Sequence, residues 1–429
     1  MKKYDEYKES GVEWIGQVPS HWETCRFKDF MKLQTDASMA ENKIGLENIE
    51  SKSGKFIETS TEFEGNGTAF TENDIVYGKL RPYLQKVWLA EFEGNAVGDF
   101  FVFKAKENSV PTFIKYLLLS DGFTKEADGS TVGAKMPRVS SNFILTMHYC
   151  LPPFSEQNTI AIYLDKKCNE IDKIISTQQE RIALLQELKQ SVITHAVTKG
   201  LNPNVEMKDS GVEWIGDVPK HWEVRKIKQI CKNEKYAIKT GPFGTQLKGQ
   251  ELQPEGDVVV YNQRNVIDNN FDKVQFYVTK EKAKSLSSFY TKPGDILVTS
   301  RGTIGRAAIL AGKFPMGILH PCLIAIRLNE NKCLQKWLMT YINETNCFKT
   351  DVTLSSNATT IDVVYTETLK NIAIPIPPLS EQRIIATHLD KKCASIDSSI
   401  SKAQHQITLL QEYKQSLITE VVTGKRKVC

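Results

Sequence analysis

Pro152-Pro-Phe-Ser-Glu-Gln157 opens a stretch that runs to Gln186-Glu-Leu-Lys-Gln-Ser-Val-Ile-Thr194 and returns 225 residues later. There it reads Pro377-Pro-Leu-Ser-Glu-Gln382 through Gln411-Glu-Tyr-Lys-Gln-Ser-Leu-Ile-Thr419. Each copy predicts a long helix. The prolines end a strand-like segment, Phe143 to Leu151 in the first copy. Ser155 is the expected N-cap, with Glu156 and Gln157 in the first turn. No Pro or Gly follows until Gly200. Apolar or small residues recur at Leu164, Cys168, Ile171, Ile175, Ile182, Leu185 and Val192. The second copy places them at Leu389, Cys393, Ile396, Ile400, Ala403, Ile407, Leu410 and Leu417. Steps of four and three make this the seam of a coiled coil, interrupted at Gln178, Lys189 and Lys414.

A second block repeats at a different offset. Ser10-Gly-Val-Glu-Trp-Ile-Gly-Gln-Val-Pro-Ser-His-Trp-Glu23 returns 200 residues on, with changes only at Gln17/Asp217 and Ser20/Lys220. The second half is therefore longer by 25 residues, the difference of the two offsets. Between the shared blocks the halves barely match. A neutral duplication would diverge evenly, whereas divergence here is localised. Two units are too few for a solenoid. Connectivity sets direction: the first helix leads from the first variable segment to the second, and the second helix starts from the second. Paired side by side, the helices run antiparallel. About 40 residues at 1.5 Å rise predict a rod of roughly 60 Å with a different head at each end.

The heads run from about His21 to Leu151 and from about His221 to Ile376. Short strand-like runs fill them: Asp74-Ile-Val-Tyr, Ala96-Val-Gly-Asp-Phe-Phe-Val-Phe, Asp257-Val-Val-Val-Tyr and Asp295-Ile-Leu-Val-Thr. A short helix is expected in each, over Pro111 to Leu119 and Cys333 to Ile342. The fold class is α+β. Basic and small polar residues gather in the connecting segments: 79–86, 129–138, 239–248, 300–306 and 354–360, the last set opposite the Gly129 loop by the 225 offset. Arg and Lys take guanine edges or phosphates, Asn and Gln take adenine, and Gly admits backbone to a phosphate. The DNA-facing candidates are Lys79, Arg81, Tyr83, Lys135 and Arg138 in the first head. In the second they are Gln246, Lys248, Arg301, Arg306 and Asn357. Arg81 and Arg301 are the expected base readers, and Lys79 and Lys248 the expected phosphate contacts.

The composition of the 429 residues bounds the class. Hydrophobic residues make up 41% and charged residues 25%, as in an ordinary globular protein. Lys plus Arg, 55, barely exceeds Asp plus Glu, 51; a net charge of +4 excludes a uniformly basic, histone-like protein but not local basic surfaces. No apolar run is long enough to span a bilayer, and the polar start carries no signal-peptide core. Nine cysteines without a CxxC pair read as reduced thiols, so a cytoplasmic location is expected. Gly241-Pro-Phe-Gly-Thr-Gln-Leu-Lys248 lacks the ending of a P-loop, and HExxH, GxSxG and GxGxxG are absent. His21 and His221 read as structural. Leu151-Pro-Pro-Phe154 is similar to an amino-methyltransferase loop, but Leu151 cannot accept from a target amine. No catalytic, cofactor-binding or metal-ligating set emerges.

The paired openings, the paired PP-x-SEQ…LDKKC…LLQE-x-KQS-x-IT helices, Lys79-Leu-Arg-Pro-Tyr83 and Gly241-Pro-Phe-Gly244 resemble the specificity subunit of type I restriction–modification systems. The resemblance covers Gly11 to about Thr423. It implies two mixed α/β target-recognition domains separated by two long helices paired as an antiparallel coiled coil, with an internal pseudo-twofold repeat. The implied division is 1–151 and 201–376 for the recognition domains, and 152–200 and 377–429 for the spacer helices. Each head would read half of a split site in double-stranded DNA. The helices would set the unread gap and dock two methyltransferase (modification) subunits. Those partners bring S-adenosylmethionine and methylate adenine, while restriction/translocase subunits use ATP and Mg; this chain is not itself the enzyme and meets no membrane. The alternatives are a specificity module of a type II-like methyltransferase–nuclease and a two-headed adaptor that binds no DNA.

Overall fold

A computed structural model describes residues 3–38, 42–133, 135–355 and 363–428. The chain forms two compact units, Met1–Glu180 with Ala403–Cys429 and Arg181–Lys402. Both long helices, Phe154–Lys199 and Leu379–Val422, contribute a segment to each unit.

In the first unit, a four-stranded antiparallel sheet runs in the order Met31–Gln34, Phe100–Ala105, Ile75–Gly78, Val87–Leu89. Its central strand, Ile75-Val-Tyr-Gly78, is buried throughout, which explains its continuous rather than alternating apolar character. A second four-stranded sheet is ordered Ala37–Ser38, Gly67–Phe70, Gly94–Ala96, Lys43–Ile44. The second unit repeats the first plan. Ile238–Thr240, Leu323–Ile326, Ile296–Thr299 and Ala307–Ile309 form the corresponding four-stranded sheet, beside a three-stranded one of Phe276–Val278, Val258–Tyr261 and Ile318–Leu319.

The repeated sequences form the base of each head. Glu23–Arg26 pairs antiparallel with His148–Leu151, and Glu223–Lys226 with Ala373–Ile376, so the two ends of each head are drawn together next to the double proline. The SEQ triplet then locks the helix to the head. Gln157 Oε1 accepts from Val110 N at 2.9 Å while its amide donates to the Asn108 and Pro152 carbonyls. Gln382 repeats this with Leu334 N at 2.8 Å and the Lys332 and Pro377 carbonyls. Glu156 accepts from Trp22 Nε1 and lies 2.7 Å from His21 Nε2; Glu381 does the same with Trp222 and His221. The invariant His-Trp of the two openings is therefore a clamp on the helix start.

The helices pair antiparallel within each unit. Leu164, Cys168 and Ile171 share the first core with Leu417, Ile418, Val421 and Val422, around Trp22, Phe27, Phe30 and Tyr149. Ile193 and Val197 share the second with Ile385 and Leu389, around Trp222, Ile227 and Trp337. Each fully buried Leu, Ile or Val contributes about 1.5–3 kcal/mol. The lysines that interrupt the apolar seam are answered across it: Lys414 donates to Asp172 and Lys189 to Asp397.

Local expectations need three corrections. Phe143–Leu151 is not one strand, because Ser140 accepts from Phe143 N and caps a short helix over Ser141–Thr146 before the strand His148–Leu151 begins. Ser155 is not the helix cap: the helix starts at Phe154, and the Pro153 carbonyl already accepts from Glu156 and Gln157 N. The run from Ala96 to Phe103 is broken at Gly98, whose φ of 93° lets the chain pass from one sheet to the other.

Candidate nucleic-acid interface

The segments 79–86 and 300–306 occupy the same place in the two heads. Each joins the central strand of the four-stranded sheet to its edge neighbour. Each is pinned in the same way. Lys79 N donates to the Asp99 carbonyl at 2.9 Å and Ser300 N to the Cys322 carbonyl at 2.9 Å. The Lys79 carbonyl then accepts from Val139 N, and the Ser300 carbonyl from Val364 N. Arg81 and Arg301 thus stand on corresponding loops, a match hidden from either sequence offset because the intervening strands differ in spacing.

In the first head, Arg81 is exposed in a left-handed conformation (φ 52°) and heads the turn Pro82–Leu84, with its N–H on the Pro137 carbonyl at 2.8 Å. A non-glycine residue in this region is strained, and such strain gathers at functional loops. Tyr83 and Lys135 are exposed. Arg138 differs: Nε and Nη2 grip the Asp99 carboxylate, both at 2.9 Å, and Lys79 Nζ lies 3.8 Å from it. The Arg138 hydrogen bonds hold the Asp99 carboxyl below the usual carboxylate range against the opposing effect of burial. Asp99 orients both cations. Sequence reasoning missed it because it reads as an ordinary residue between strands.

In the second head, Gly241 lets the chain lie directly on the backbone of His320: a Cβ there would sit 2.2 Å from the His320 carbonyl oxygen. This close approach delivers Phe243, whose ring faces the Arg301 guanidinium at 5.3 Å. Two loops that were separate in sequence therefore form one surface. Gln246 Oε1 accepts from Phe243 N at 3.3 Å. Lys248 and Arg306 are exposed. Asn357 lies outside the described residues. Gln263 and Arg264, not singled out in the sequence, flank this surface. Gln263 Nε2 donates to the Thr303 carbonyl and Arg264 is exposed beside Asp268. The polar run after the apolar strand 258–261 was the available signal.

Exposed cations on Gly- and Pro-shaped loops, carried at one edge of a rigid sheet, suit contact with phosphates and base edges. Among the described residues, no group of three or more His, Cys, Asp or Glu side chains is placed to hold a metal ion. No helix among them is long and apolar enough to cross a membrane.

Fold and loop edges define a two-headed scaffold that carries exposed basic residues on corresponding loops. Residues 219–408 match the family described as type I restriction modification DNA specificity domain. The MjaVIII type I restriction enzyme specificity subunit of Methanocaldococcus jannaschii is 24% identical over 98% of this chain and 97% of its own length. Among solved structures, a chain from work on complex assembly and conformational transition of the type I R-M system shares the fold. Its TM-score is 0.71 at 18% identity, covering 94% of this chain and 98% of that one. The HsdS subunit from Thermoanaerobacter tengcongensis superposes with a TM-score of 0.55 at 18% identity, covering 95% and 98%. Over residues 219–408 the chain matches the DNA specificity domain of type I restriction–modification systems, and over nearly its whole length it is similar to specificity subunits of type I restriction enzymes.

Proposed function

We propose that each head reads one half of a bipartite site in double-stranded DNA, and that the chain docks methyltransferase and restriction subunits without catalysing a reaction. The observation that carries this reading is the placement of different side chains on the same pinned loop of two like scaffolds: Arg81 and Tyr83 in one, Arg301 and Arg306 in the other. A pair of readers for two half-sites needs this combination of common frame and divergent edge.

The long helices, of 46 and 44 residues, are each about 65–70 Å at 1.5 Å per residue. They set the number of unread base pairs between the half-sites. The repeated openings and helix starts give two identical modification subunits equivalent places to dock. S-adenosylmethionine is then held by those subunits, and ATP and Mg by the restriction/translocase subunits, in a cytoplasmic complex.

The test is replacement of residues 24–150 with the recognition head of another such subunit, followed by mapping of methylated adenines. One half of the methylated motif is expected to change. A change in both halves, or in neither, overturns the reading.

A further inference from the structure

The first head exposes apolar side chains where a solvated turn would carry polar ones. Val132 is 81% exposed, Met136 47% and Tyr83 45%. They belong to one patch. Val132 and Arg138 pair through backbone hydrogen bonds of 3.2 Å as a hairpin, and a Cβ on Gly133, whose φ is 103°, would lie 3.3 Å from the Met136 carbonyl oxygen. Arg81 N, on the Pro137 carbonyl, ties the turn bearing Tyr83 to the same hairpin. Lys79 and Arg81 lie on the turn tied to this hairpin, Lys135 and Arg138 lie beside Met136 in sequence, and the Asp99 carboxylate is already taken by Arg138.

These cations attract a polyanion, but phosphates offer nothing to Val132 or Met136. On the floor of a DNA major groove, the apolar feature is the C5-methyl group of thymine. We propose that Val132 and Met136 are specificity residues that pack on a thymine methyl in the half-site read by the first head, with Lys79 and Lys135 on the flanking phosphates. The proposal rests on the reading of this head as a DNA-sequence reader. It adds the base chemistry: selection by apolar contact at a position where the basic residues cannot discriminate.

The probe is a duplex carrying the methylated motif, with each thymine of the first head's half-site replaced singly by deoxyuridine. This change deletes one methyl and leaves base pairing intact. The full-length chain is expected to lose about fourfold in affinity at one thymine, the value of one methyl group removed from water. Val132→Ala or Met136→Ala should abolish that loss and bind the two duplexes alike. Both side chains are exposed, so folding is not at stake. Deoxyuridine tolerated at every thymine, or a penalty undiminished in both variants, overturns the proposal while leaving the DNA-reading role intact. A wild-type chain that does not distinguish the matched half-site from a scrambled one overturns both.

Discussion

Lys414 on the second long helix donates to Asp172 on the first at 2.7 Å, and the same pair recurs with the helices exchanged. Asp397 and Lys189, the repeat counterparts 225 residues away from each, meet at 2.8 Å. With Gln178, the two lysines are the residues that spoil the apolar seam. A lysine at a core position lowers stability but specifies register, because only one alignment gives it an acid. The reciprocity follows from antiparallel pairing of duplicated helices, in which each copy supplies one acid and one base.

The two pairs differ in exposure, and this gives an asymmetric expectation. Lys414 and Asp172 side chains are 11% and 20% exposed, and Lys55 also reaches Asp172 at 2.8 Å; Lys189 and Asp397 are 29% and 54% exposed. Lys414→Met should cost about 1–3 kcal/mol, because it leaves a partly buried carboxylate with Lys55 as its remaining cation. Lys189→Met should cost less than about 1 kcal/mol. Thermal unfolding of the single variants and of Asp172→Asn/Lys414→Met measures both; equal costs would refute the ranking.

Acid titration should report the same pair. Burial opposes the charged form of Asp172, but hydrogen bonds from Lys414 and Lys55 outweigh it and hold the carboxyl below its ordinary value of 3.8. A depressed carboxyl stabilises the fold above its unfolded pKa of about 3.9, and that contribution is lost as pH falls through the lower folded value. Lys414→Met should shift this acid loss to higher pH. An acid-unfolding midpoint unmoved by Lys414→Met would show that the pair does not contribute there.

Gln157 and Gln382 are buried, and each satisfies one backbone N–H and two carbonyls. Replacing either with Leu leaves those groups unpaired at about 1–3 kcal/mol each. Limited proteolysis should detect a loosened helix start in the unit that carries the change. Cleavage rates like the wild type in Gln382→Leu would mean that water restores the lost hydrogen bonds.

The duplicated elements were legible because repetition itself is a signal. The PP-x-SEQ helices, the antiparallel direction and the α+β heads follow from offsets and connectivity. What stayed hidden depends on partners distant in sequence. The acid for Lys414 lies 242 residues away, and the N–H for Gln157 lies 47 residues away, so no local spacing shows them. The Asp99 grip on Arg138 and the Phe243–Arg301 contact were invisible for the same reason. The strand expected over 143–151 failed at its first half because Ser140, a cap, outweighs the apolar run that follows it.

Gly241→Ala should disturb reading by the second head more than its folding. The added Cβ would lie 2.2 Å from the His320 oxygen and 2.5 Å from its carbon, both backbone atoms that yield little. The loop bearing Phe243, Gln246 and Lys248 must then move, at a stability cost of about 1–3 kcal/mol. Gly249→Ala, where nothing lies within 4 Å, is the control and should be near silent. Binding to duplexes mutated in one half-site at a time should show a loss confined to the second head's half. A loss equal in both halves would show that the loop does not belong to one reader.

Arg81 and Arg301 should differ from Lys248 in what they control. Both arginines stand on the pinned loops; Arg81 has a left-handed backbone, and the Arg301 guanidinium lies over the face of Phe243. A planar guanidinium suits the O6/N7 edge of guanine, where a bidentate contact is worth about 1–3 kcal/mol of discrimination. Lys248 is exposed on a long flexible stem and suits a phosphate. Arg81→Ala should therefore narrow the gap between matched and single-mismatch duplexes in the first half-site, and Arg301→Ala in the second. Lys248→Ala should weaken all sequences alike and reduce the salt slope by about one. Phe243→Leu, which removes the aromatic face but keeps an apolar side chain, should reproduce part of the Arg301→Ala effect without changing that slope. The measurement is binding of the full-length chain to both duplex sets at several salt concentrations. If Lys248→Ala abolishes discrimination while the arginine variants leave it intact, the roles are exchanged; if no variant alters binding at any salt, these loops are structural turns.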